Sequence, residues 1–175
     1  MLEFLFAAAL LLGFFTKLAD LQVDDEKFFF KNAQYLTGVA YGILGGLLLT
    51  SEPHFSTLFF GVLVGVIITT KIDKLPHRLA VAFVVLMIAL RGIPAVSFPL
   101  VAFFSLFAAG DEWLHEKTAK KKGKINAALA FLGKNRLLLE VGTMLAGIAT
   151  GEWLYLLAII SFDVGYVTCK KVFGK

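Results

Sequence analysis

Residues 36–73 read LTGVAYGILGGLLLTSEPHFSTLFFGVLVGVIITTKID, two apolar runs separated by one short turn and closed by charge. Each run, Ala33–Thr50 and Phe55–Thr70, is too long and too continuous for a strand and carries no polar stripe. Both therefore read as helices in an apolar surrounding. Gly38 and Gly42, then Gly61 and Gly65, fall at G-x-x-x-G spacing, which lets helix backbones approach closely in a membrane. The expectation is a tight hairpin of these two helices across Pro53.

Working outward, the same pattern recurs in Leu2–Ala19, Leu79–Leu90, Ala95–Trp113, Leu137–Thr150 and Trp153–Thr168. With 58% hydrophobic residues and a mean hydropathy of +0.81, the chain lies above the roughly 45–50% apolar usage of soluble domains. The fold class expected is an all-α integral membrane protein. Its 175 residues form a single polytopic domain, 1–175, of seven transmembrane helices, or six if the run broken by Arg91, Gly92 and Pro94 does not cross. Between the last two pairs of runs, INAALAFLGKNR sets Ile125, Leu129 and Leu132 on one face, a short interfacial amphipathic helix.

Alternating spans put every Lys and Arg except Arg91 on one side. By the positive-inside rule that side is cytoplasmic, which gives a multi-pass cell-membrane protein with its N-terminus outside and C-terminus inside, and favours seven spans over six. The net charge of +4 needs no nucleic-acid partner, since KTAKKKGK stands beside a span and interleaves no aromatics. Anionic lipid headgroups are the expected partners, and homo-oligomerisation is left open. The MLE start is acidic where a secretory signal requires Lys or Arg, so the first run is read as a helix. The lone Cys169 excludes an internal disulfide.

Motifs exclude several chemistries: no phosphate loop, nucleophile elbow or paired-cysteine metal pattern occurs. Instead, acids gather where the basic side meets the spans. Asp111, Glu140 and Asp163 lie inside runs, where an unpaired carboxylate is costly and usually lines a cavity or pathway. In GDEWLHEK, Asp111 and His115 are i, i+4 and Glu112 and His115 are i, i+3, and Asp20 and Asp24 repeat the i, i+4 spacing. His54 and His77 read as loop or helix-entry residues.

Two functions follow. The first is a metal-dependent enzyme acting on a phosphorylated or pyrophosphorylated lipid at a cytoplasm-facing acidic pocket. Asp163, Asp111 and His115 are its catalytic candidates, and Lys71, Arg78 and Arg136 would hold phosphate. Asp20, Asp24, Asp111 and Glu112 would hold a divalent cation, Mg²⁺ by its taste for carboxylates, water and phosphate. The alternative is a cation- or proton-coupled transporter, or an ion-binding membrane protein, using Asp111, Glu140 and Asp163. A conducting route should place polar groups in both halves of the bundle, and the outer half reads as almost purely apolar, which ranks the enzyme first.

Overall fold

The computed structural model describes residues 1–24, 32–69, 74–119 and 126–174; the Asp24 side chain, Lys71 and the 120–124 lysine run lie outside them. Among the described residues the chain is all-helical, with eight helices and no strand. They are α1 (Leu2–Asp24), α2 (Ala33–Leu49), α3 (Pro53–Ile68), α4 (Leu75–Arg91), α5 (Phe98–Ala119), α6 (Ala127–Asn135), α7 (Leu138–Thr150) and α8 (Leu154–Phe173).

Local chemistry sets the helix ends. Glu52 caps α3, its carboxylate accepting from His54 N and Phe55 N at 3.0 and 3.2 Å, and Pro53 starts the helix where no N–H is required. Asn126 caps α6 through Ala128 N, and α7 stops at Gly151 in the left-handed region, φ 79°. Charged flanks continue several helices, so α4 begins four residues before its apolar run and reaches Arg91 as one 17-residue helix, and α5 runs on through the acidic cluster to Ala119. One helix, α1, is by itself long and apolar enough to cross a membrane: its 22-residue stretch Leu2–Val23 has a mean hydropathy of 1.8.

The glycines work differently from the expected hairpin. Gly38, Gly42 and Gly46 meet Pro76, Ala80 and Met87 of α4, while Gly61 and Gly65 meet Val101, Phe104 and Ser105 of α5. Contacts between α2 and α3 are sparse by comparison. Successive chain neighbours therefore run antiparallel, and the close packing joins helices two apart, α2 with α4 and α3 with α5, in parallel. This corrects the reading from spacing: G-x-x-x-G marks a face for close approach but carries no information about which helix comes to it. A third pair, α1 with α8, is joined by single glycines, Gly13 against the Phe162 carbonyl and Gly165 against the Leu10 carbonyl.

Phe55, Leu58, Phe104, Tyr155 and Ile159 fill a core with Leu5 and Leu12 of α1. The alternation of helix directions separates the two ends of the bundle. At one end stand Lys17, Lys74, Arg78, Lys117, Lys134, Arg136, Lys170 and Lys171, hereafter the basic end; Arg91 alone of the described basic residues lies at the other.

Candidate functional site

At the basic end, six helices direct polar side chains toward one another. The last turn of α1 supplies Asp20, whose Oδ2 accepts from the Tyr166 hydroxyl of α8 at 2.9 Å and whose Oδ1 lies 3.8 Å from His77 Nε2 on α4. His77 Nδ1 is 2.7 Å from the Tyr41 hydroxyl of α2, so Tyr41, His77, Asp20 and Tyr166 form one chain across four helices. Lys17 holds its ammonium 5.3 Å from the centre of the Tyr166 ring.

A second limb starts from α5. Asp111 Oδ1 accepts from Leu138 N at 2.9 Å, capping the first turn of α7 from a different helix. Beside it Glu112 Oε2 pairs with Arg136 Nη1 at 3.3 Å. Arg136 occupies the left-handed region, φ 54° and ψ 50°, at the α6–α7 junction. That conformation costs a non-glycine residue on the order of 1–2 kcal/mol. Glycine would fit there without strain, and the arginine instead places a cation among Asp20, Asp111 and Glu112. Burial disfavours its charge, but Glu112 first, with Tyr166, Asp20 and Asp111, more than offsets this and holds the guanidinium above its usual value.

The third limb joins α7 to α8. The Glu140 and Asp163 carboxyls lie within hydrogen-bonding reach of each other, and Asp111 is close enough to act on both. Glu140 Oε2 is buried, and no donor among the described residues reaches it. Glu140 thus pairs with Asp163 rather than with Arg136 one turn earlier.

The sequence candidates separate as follows. Asp20, Asp111, Glu112 and Arg136 come together, and Glu140 and Asp163 join them through Asp111. His115 turns to α6, where its Nδ1 donates to the Gly133 carbonyl at 2.9 Å. Arg78 is exposed at the rim of the basic end, one residue after His77. Lys71 and the Asp24 side chain fall outside the described residues. Among those residues no three His, Cys, Asp or Glu side chains gather as a metal-holding group. Of the expected ligand set, Asp20 faces a tyrosine and a histidine, Asp111 an amide, and Glu112 an arginine, while the Asp24 side chain lies outside the described residues.

Sequence reasoning missed Tyr41, Tyr166 and His77. The tyrosines sit inside apolar runs and carry no charge to mark them. The spacing of His77 is meaningless until α4 packs beside α1 and α2, although a histidine just after Pro76 at a helix start was a visible signal. The opposite end also holds more polarity than the sequence suggests. His54 Nδ1 meets Glu52 Oε1 at 2.5 Å, His54 Nε2 lies 3.7 Å from Glu152 Oε2, and the His54 ring packs on Tyr155. No protein-family model, curated protein or solved structure matches this chain.

Proposed function

We propose that the chain is a membrane-embedded bundle of seven spans, α6 lying at the surface, that binds a proton or small cation between Glu140 and Asp163, beside Asp111, in exchange between the two sides. Large exposed apolar side chains support the membrane part: Leu90, Phe98, Leu106 and Ile148 are each between 65 and 72% exposed. Even in α1, the most apolar helix, only 33% of its spanning window is buried, whereas the core helix of a soluble protein would be mostly enclosed. By the positive-inside rule the basic end, which carries all three limbs, faces the cytoplasm.

The observation that carries the ion reading is the contact between Glu140 and Asp163. Two carboxylates in hydrogen-bonding reach need a proton or a cation between them, and no donor from the described residues reaches the buried Glu140 oxygen. The sign of the whole cluster agrees. Among the described residues, Asp20, Asp111, Glu112, Glu140 and Asp163 face Lys17 and Arg136 as permanent cations, an excess of acid that attracts positive charge. At the far end Glu52, His54 and Glu152 supply polar groups in the other half of the bundle, which removes the ground for ranking the enzyme first.

A second reading keeps the lipid-phosphate enzyme, on the observation that Arg136 is held at a backbone cost among the acids while Arg78 is exposed at the rim. In that reading Mg²⁺ would neutralise the excess carboxylates together with the phosphate of the substrate. Proteoliposomes with a pH dye inside separate the two. Imposed Li⁺, Na⁺ or K⁺ gradients should move protons with wild-type protein and not with Glu140→Gln. Absence of any cation-driven proton movement, together with Mg²⁺-dependent turnover of an added lipid phosphate, would replace the first reading by the second.

A further inference from the structure

Away from the acids, a cavity of about 260 Å³ lies between α1 and α2, walled by Phe14, Phe15 and Leu18 of α1, Leu36 of α2 and Phe173 of α8. It exceeds the roughly 150 Å³ that accepts a benzene ring in an apolar core. Leu36 is 63% exposed, so the cavity opens to the outside of the bundle through α2. Its wall is apolar except at one point. There Gln22, 1% exposed, shares the lining with Thr37.

The hydrogen bonds fix the orientation of that glutamine. The Thr37 hydroxyl gives its one proton to the Ala33 carbonyl at 3.0 Å, so it can only accept from Gln22, and Gln22 Nε2 donates to it at 3.0 Å. The amide oxygen must therefore point elsewhere. Gln22 Oε1 is buried, and no donor among the described residues reaches it. A buried acceptor left unmade costs on the order of 1–3 kcal/mol, and it belongs to a residue that lines this apolar slot.

We infer that this slot binds a lipid whose apolar chain lies against Phe14, Phe15 and Leu18 and whose free hydroxyl donates to Gln22 Oε1. A hydroxyl fits better than an ammonium, because the glutamine oxygen is neutral and a charge buried among phenylalanines would lack a counter-ion. The site rests on the membrane embedding proposed above and not on ion binding at Glu140.

The probe is a diazirine-bearing hexadecanol in phosphatidylcholine nanodiscs holding the purified protein. It should label peptides carrying Phe14–Gln22 or Leu36. Unlabelled hexadecanol should compete about 2- to 10-fold better than its methyl ether, the worth of one neutral hydrogen bond; farnesol as competitor tells branched from straight chains. Gln22→Leu should make alcohol and ether compete equally. Leu36→Trp, a change at an exposed position, should fill the slot and remove the labelling while melting as wild type does. Labelling confined to other helices, equal competition in the wild type, or an unchanged preference for alcohol in Gln22→Leu would each overturn the assignment. Failure of the protein to enter nanodiscs would refute the membrane embedding, and the slot with it.

Discussion

Replacing Gly165 by alanine tests how the bundle is held together. A Cβ at this position would stand 1.8 Å from the Leu10 carbonyl oxygen of α1, and one added at Gly13 would stand 1.9 Å from the Phe162 carbonyl oxygen. Carbon and oxygen settle at about 3.3 Å, so α1 and α8 must separate by about 1.5 Å. Overpacking of this kind costs roughly 1–3 kcal/mol, and the same separation stretches the bond from Tyr166 to Asp20, worth about 1 kcal/mol. Alanine returns about 1 kcal/mol of helix propensity. The net loss is about 2 kcal/mol, or on the order of 4–8 °C in Tm for a chain of this size. Gly110→Ala provides the contrast, since its Cβ would meet only the movable end of Leu138 at 3.0 Å. There the propensity gain should cancel or exceed the crowding. Thermal melts of both variants in one detergent decide the matter, and a Gly165→Ala protein as stable as wild type would refute the packing argument.

Other variants test single contacts. Tyr166→Phe leaves Asp20 without its hydroxyl donor and should lower stability by about 1–2 kcal/mol, read by the same melts. Asp111→Ala removes the cap of α7 and should cost about 1 kcal/mol, whereas Asp111→Asn keeps an oxygen for Leu138 N and should cost less than half as much. His115→Ala frees the Gly133 carbonyl, so limited proteolysis should cut faster within Ala127–Asn135 with little change in global melting. Arg136→Gly should be about 1 kcal/mol more stable than Arg136→Ala, because both lose the Glu112 pair and only glycine relieves the left-handed backbone.

The helices were legible because apolar runs and charged flanks are local properties. Seven runs reappear as helices within a few residues, and INAALAFLGKNR becomes α6, nine residues long. The largest shifts, at the ends of α1, α5 and α8, arise where a helix continues through charge once its neighbours are in place. Helix pairing was not legible. Gly42 reads the same whether it meets α3 or α4, and only the packed structure shows Ala80 against it. The site divides in the same way. Asp111, Glu140 and Asp163 announce themselves because charge inside an apolar run is costly. Tyr166 and Tyr41 do not, since a tyrosine in such a run is ordinary until an acid or a histidine from another helix reaches its hydroxyl.

The claim that Glu140 and Asp163 hold an exchangeable proton or cation is tested most directly by counting protons released when salt is added. Detergent-solubilised protein in weakly buffered solution should release close to one proton per chain as Li⁺, Na⁺ or K⁺ is titrated in, and Asp163→Asn, which keeps the shape and removes the charge, should release none. Equal release from wild type and Asp163→Asn, or none from either, would contradict the account.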